Sequence, residues 1–227
     1  MHIGILLAGH APDPIRAAHG DFDAMFARLL ADQDIHVTSF DVEQMVFPET
    51  PRDADGWLIS GSRHGAYEDH PFIPPLEQFI RDAHDQRTPL VGICFGHQII
   101  AQALGGVVAK HPDGWTIGRR SYATDRGPVT LNAWHQDQVI VPPEGARTLG
   151  HHAECPHAIL AYDTALTVQA HPEFDAATLE TYVAFRMGSD AYPKDRLQAA
   201  RDGAGPVDQG RLASAIARFF KTGEAYV

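Results

Sequence analysis

The stretch Pro89–Gly106, PLVGICFGHQIIAQALGG, decides how this chain reads. An apolar run reaches Cys94, with Gly92 two residues before it and Gly96 two after it. TPLVGIC has the length and composition of a buried strand, and GHQIIAQALGG has helical spacing closed by Gly105 and Gly106. A cysteine on such a strand-to-helix turn has two readings. It can be an inert thiol packed at a strand end, since glycine-flanked strand ends are common in α/β folds. It can also be a nucleophile held at the sheet edge, where the helix dipole favours a thiolate and small flanking residues allow a strained backbone. The string alone leaves both open.

Working outward, the preceding residues alternate between strand and helix. HIGILLAG is a short apolar strand ended by Gly9. Asp21–Gln33 carries Met25, Phe26, Leu29 and Leu30 on one helical face, with Asp21 placed as a cap. IHVTSFDV reads as a second strand and Trp57–Ser60 as a third, running into Gly61. PFIPPLEQFIRDAHDQ is a helix opened by proline, with Leu76, Phe79, Ile80 and Ala83 as its core stripe. Such alternation implies a parallel sheet with helices on both faces, a three-layer αβα arrangement of the flavodoxin-like kind.

Beyond Val107 the pattern changes. VVAKH, TLNAWH, HAILAYD and ALTVQA are β-like pieces separated by proline and glycine breaks, which predicts a small mixed or antiparallel section up to Gln169. Helical spacing returns over Ala176–Met187 and Val207–Lys221, with GSDAYPKD and RDGAGP as loops. No repeat, low-complexity tract or linker divides the chain. Residues 1–227 therefore read as one domain, with a helical extension from about 188 to 227.

Composition narrows the function classes. The chain is 44% hydrophobic, enough for a substantial core, and its formal net charge of −11 argues against nucleic-acid and anionic-membrane partners. Its two cysteines make neither a disulfide framework nor a paired metal pattern. The start, MHIGILLAGHAPDP, lacks the basic leader of a secretory signal, and no apolar run has transmembrane length. The expectation is a cytoplasmic protein with Cys94 as a free thiol.

Ligands of parallel sheets lie outside the carboxyl ends of the strands. Three groups fall at such ends: the Gly61-Ser62 turn, Cys94, and His171 with Glu173 in TVQAHPEF. A thiol nucleophile needs a base, and the base needs an acceptor to orient it. Pro172 fixes the backbone between His171 and Glu173, so both side chains can be held at one edge. One histidine among 14 carries little, but its combination with Cys94 carries much more. Backbone amides around Gly61 and Ser62, with that of Phe95, have the makings of an oxyanion hole. Taken alone, the glycine turn reads as an ordinary turn.

GICFGHQ together with QAHPEF resembles the class I (triad) glutamine amidotransferase family, whose nucleophile motif is G-x-C-x-G-x-Q and whose second motif is H-P-E. The similarity runs from the first strand to about Met187. It implies Cys94 as nucleophile, His171 as general base and then acid, and Glu173 as the orienting carboxylate. It implies an oxyanion hole from the amides of Ser62 and Phe95, and substrate contacts at Gly61, Gln98 and the AWHQDQV segment, namely His135, Gln136 and Asp137. Many relatives carry Gly-Gly-Pro where this chain has Gly61-Ser62-Arg63, although only the amide need be kept. The implied substrate is glutamine or a γ-glutamyl small molecule, cleaved through a γ-glutamyl thioester without metal or cofactor.

GSRHGAYEDHPFI with WHQDQV resembles a stand-alone branch, akin to the glutaminase part of GMP synthase and to plant γ-glutamyl peptide hydrolases. No synthetase domain or P-loop pattern is present. Three readings follow. The chain is a glutaminase that passes ammonia to a separate acceptor subunit, a self-sufficient γ-glutamyl peptide or amine hydrolase, or a non-catalytic or redox-sensing member of the fold. Intact His171-Pro172-Glu173 counts against the last. Cys155, in HHAECPHAIL, lacks the glycine-flanked elbow and reads as structural. His151, His152 and His157 match no metal pattern and read as a solvated loop.

Overall fold

A computed structural model describes all 227 residues. The first half follows the expected alternation. Strand β1 (His2–Leu6) is followed by α1 (Asp13–His19), α2 (Phe22–Leu29), β2 (His36–Phe40), β3 (Gly56–Ile59), α3 (Ile73–Asp85), β4 (Leu90–Ile93) and α4 (Phe95–Ala103). Asp21 caps α2 by accepting from the Phe22 amide, and proline stands in the first turn of α3. The expected helix over Asp21–Gln33 ends early as α2, with a single 3₁₀ turn at Ala31–Gln33 completing it. Helix α1 was not foreseen, because only Ile15 of its seven residues is buried.

The second half holds β5 (Val107–Lys110), β6 (Thr116–Thr124), β7 (Val129–His135), β8 (Asp137–Val141), β9 (Arg147–His152), β10 (Cys155–Ala161) and β11 (Ala165–Val168). Helices α5 (Ala176–Arg186), α6 (Lys194–Asp202) and α7 (Gln209–Thr222) complete it. Nine strands form one sheet in the order β2-β1-β3-β4-β11-β10-β9-β6-β7, and β5 pairs with β8 in a separate ribbon. Strands β2, β1, β3, β4 and β11 are mutually parallel, whereas β10, β9, β6 and β7 continue antiparallel. ALTVQA therefore belongs to the parallel half on one side: β11 runs alongside β4 with Val168 opposite Ile93. That register brings the end of β11 to the end of β4.

Alternation along the strands sends side chains to two cores. Ile3, Ile5, Leu58, Val91 and Ile93 join α1, α2, α5 and α7 on one face. Leu6, Trp57, Ile59 and Leu90 join α3 and α4 on the other. The C-terminal extension is part of the first core, since α7 buries Leu212, Ile216, Phe219 and Phe220 there. Two loop expectations are corrected. Lys194 and Asp195 of GSDAYPKD and Arg201 and Asp202 of RDGAGP belong to α6, which buries only Leu197 and Ala200 and so shows no stripe in the sequence. His151 and His152 lie on β9 and His157 on β10, rather than in a loop. Cys155 is buried on β10, and burial pushes its thiol up to about 12. No helix is long and apolar enough to cross a membrane.

Candidate active site

Cys94 stands between the last residue of β4 and the first of α4, with φ 54° and ψ −102°. A positive φ is unusual for a non-glycine residue and costs of order 1–3 kcal/mol. The surroundings enforce it. The Cys94 amide donates to Val168 O at 2.9 Å, Gly96 N to Ser60 O at 3.1 Å, and Gln98 N to Cys94 O at 3.1 Å. The flanking glycines are required by contact. A Cβ on Gly92 would fall 2.4 Å from Gly96 O, and one on Gly96 would fall 2.2 Å from Ile59 O. The elbow therefore packs backbone against backbone and turns the thiol outward, with Sγ 3.9 Å from Trp134 O.

His171 follows the end of β11. Its amide donates to Asn132 O of β7 at 2.8 Å, which ties the turn after β11 to the antiparallel half of the sheet. Its Nδ1 lies 2.6 Å from Glu173 Oε1, and the Glu173 side chain is fully buried. The ring stacks on Phe174 at 4.1 Å between centroids. With Nδ1 held by the carboxylate, Nε2 is the nitrogen left for the thiol and substrate. Burial opposes a charge on His171. The Glu173 carboxylate and the Cys94 side chain beside it outweigh that, and hold its pKa well above the ordinary histidine value.

The Gly61 backbone is pressed against both residues: a Cβ there would lie 3.0 Å from His171 Cε1 and 3.8 Å from Cys94 Cβ. The amides of Ser62 and Phe95 donate to no group in the protein. Ser62 lines the cleft with Cys94, and Phe95 follows Cys94 as the first residue of α4.

Cys94, Ser62, Gln98, His135, Gln136, Asp137 and His171 all line one cleft of about 650 Å³. Glu173, Gly61 and Phe95 are not among the lining residues: Glu173 stands behind His171, Gly61 packs against His171 and Cys94, and Phe95 is buried at the start of α4. Gln98 Nε2 donates to Asp137 O at 2.9 Å and to Gln169 Oε1 at 3.2 Å, so its amide also fixes the turn from β7 to β8. Asp137 Oδ1 accepts from Tyr67 at 3.0 Å, and burial raises its pKa against that hydrogen bond. His135 is pushed down to about 3 by burial and by neighbouring positive groups, so it is neutral.

The motifs gave no sign of two further features. One is the far wall of the cleft, where Trp115, Trp134, Tyr182 and Tyr192 pack with centroids 4.5–5.6 Å apart and Arg186 covers the Tyr192 ring. The other is Asn132, whose Nδ2 donates to Phe174 O at 2.9 Å and Asp175 O at 3.3 Å. Its signal was a polar residue in the apolar strand TLNAWH.

A thiol on a strained elbow and an imidazole bonded to a buried carboxylate thus meet at the carboxyl ends of the parallel strands of an αβα scaffold. Residues 18–189 match the family described as glutamine amidotransferase class-I, and the chain belongs to that family. It is 29% identical to a glutamine amidotransferase-like protein of Schizosaccharomyces pombe over 96% of this chain and 98% of that one. It is 31% identical to gamma-glutamyl peptidase 4 of Arabidopsis thaliana, over 70% of each. A glutamine amido transferase structure from Methylobacillus flagellatus superposes with a TM-score of 0.75 at 22% identity, covering 100% of this chain and 96% of that one.

Proposed function

We propose that this protein hydrolyses γ-glutamyl amide bonds by thiol catalysis, with glutamine as the smallest substrate. The observation that carries the reading is Cys94 at positive φ beside the His171–Glu173 pair, flanked by the free amides of Ser62 and Phe95. Cys94 Sγ passes its proton to His171 Nε2 and attacks the γ-carbonyl carbon. The oxyanion is received by the two amides, each worth about 3 kcal/mol of transition-state stabilisation. His171 Nε2 gives its proton to the departing nitrogen as the C–N bond breaks, leaving a γ-glutamyl thioester. A water that loses its proton to His171 then attacks the thioester, releasing glutamate and returning the proton to sulfur. Ammonia freed from glutamine would go to a separate acceptor enzyme.

A second reading, in which the leaving group is an amino acid or larger amine, is favoured by the cleft. Its volume of about 650 Å³ and its aromatic wall exceed what glutamine needs. Glutamate release from glutamine and from a panel of γ-glutamyl dipeptides and amines tests both. Cys94→Ala should abolish release from every substrate, and retained activity in that variant would overturn the mechanism. Faster release from the larger compounds would select the hydrolase reading. Slow release from glutamine alone would select the ammonia donor.

A further inference from the structure

The loop from β3 to α3 carries His64, Glu68 and His70, and none of them has a part in the chemistry above. His70 Nε2 lies 2.9 Å from Glu68 Oε2, and His64 Nδ1 lies 3.8 Å from the same oxygen. The three ligand-capable atoms fall within 4.8 Å of one another. Donor atoms around a tetrahedral zinc ion at about 2.0–2.1 Å stand roughly 3.3 Å apart, so the observed separations straddle that value.

The other nitrogen of His64 sharpens the case. Its Nε2 is 3.0 Å from Glu43 Oε1, and the Glu43 side chain is 9% exposed. Arg63 Nε lies 3.4 Å from that nitrogen, and Arg63 Nη2 lies 3.0 Å from the same Glu43 oxygen. His64 thus presents Nδ1 toward Glu68 and Nε2 toward Glu43. A carboxylate on the far nitrogen is the usual outer partner of a metal-bound histidine.

The loop is held firmly enough to keep this arrangement. Ala66 is buried, and its carbonyl accepts from Gln102 at 2.7 Å. Tyr67 is tied to Asp137, and the buried Phe72 ring packs 5.8 Å from His64 and 6.0 Å from His70. His64 and Glu68 line the same cleft as Cys94.

We propose that His64, Glu68 and His70 bind a divalent first-row cation of the zinc type at the rim of the cleft, with Glu43 orienting His64. Two imidazoles and one carboxylate suit such ions, and three protein ligands leave coordination positions open.

The test is titration of zinc chloride into the Cys94→Ser protein, followed by calorimetry and by the thermal midpoint. Removing the thiol excludes zinc capture by the triad, and the readout is binding rather than activity. Its outcome is therefore separate from that of the proposed hydrolysis. One equivalent should bind with micromolar affinity or better and raise the midpoint. His70→Ala should weaken binding at least 100-fold, and Glu43→Gln by 10–100-fold. Should His70→Ala fold poorly, Glu68→Gln on its exposed side chain should give the same loss. Cobalt(II) should give the intense visible bands of a four-coordinate site in Cys94→Ser and lose them in Glu68→Gln. No binding below about 1 mM, or binding unchanged in His70→Ala and Glu68→Gln, would overturn the proposal.

Discussion

At Cys94 the requirements of stability and of chemistry oppose one another. A side chain with φ 54° is strained, and glycine at that position would not be. Cys94→Gly and Cys94→Ala should both be inactive, but the glycine variant should be the more stable by about 1 kcal/mol, read from denaturant midpoints. Equal stability would mean that the elbow stores no strain. Glu173 can be probed through pH. Because His171 has a raised pKa, its proton remains available to the leaving nitrogen as pH rises, until that raised value is passed. Glu173→Gln removes the first of the charges that raise it. The alkaline limb of kcat/KM should therefore move to lower pH, by a unit or more, while the maximum rate falls. An alkaline limb that stays in place would show that His171 is not the proton donor. The same pair contributes stability that is complete below the unfolded histidine value and lost as pH climbs through the folded one.

At the level of elements, the site is made where the parallel strands end and one antiparallel strand reaches across. Strand β4 and helix α4 position the thiol, β11 leads to His171, and β7 holds the turn between His171 and Asp175 through Asn132. Asn132→Ala removes both side-chain donors to that turn. It should cost about 1–3 kcal/mol of stability and reduce kcat more than it raises KM. A change confined to KM would place Asn132 in substrate binding instead. The elbow and the H-P-E turn were legible because a glycine-flanked cysteine after an apolar run and a proline between two functional residues are local signals. Strands β6 and β9 were not. β6 carries Arg119 and Arg120 in its middle, and β9 buries only Gly150, so neither shows a clean alternation. Their strand character comes from their neighbours in the sheet. For the same reason the aromatic wall was invisible: Trp115, Trp134, Tyr182 and Tyr192 are far apart in sequence and meet only when α5 and the loop before α6 fold over β7.

Across the whole molecule, the two cores enclose polar groups whose titration decides how the fold responds to acid. His97 is fully buried in α4, with Nδ1 2.8 Å from Thr167 Oγ1 and Nε2 without a partner. His135 is buried beside the catalytic turn, and its Nε2 is likewise without a partner. Burial, with nearby positive groups, pushes both down to about 3. Each is neutral when folded and takes up a proton on unfolding at any pH between about 3 and the unfolded value of 6.5. Their contribution is thus fully present above pH 6.5 and lost as pH falls, by roughly 1.4 kcal/mol per unit for each histidine. Between pH 6.5 and 5 these two lead the response, and His157, whose pKa burial also lowers, adds to the same loss. The raised histidines, His171 and His10, stay protonated in the folded state there and are at least half protonated when unfolded, and the lowered carboxylates Asp53, Glu68 and Asp175 titrate lower still, whereas Asp137 is raised and works against the loss. Going from pH 6.5 to 5 should therefore cost about 3 kcal/mol of unfolding free energy from these two histidines, measured by urea titration at each pH. His97→Asn keeps a polar group toward Thr167 but cannot titrate, so it should roughly halve that slope. A slope the same as that of the unaltered protein would mean that His97 is not a source of the acid sensitivity.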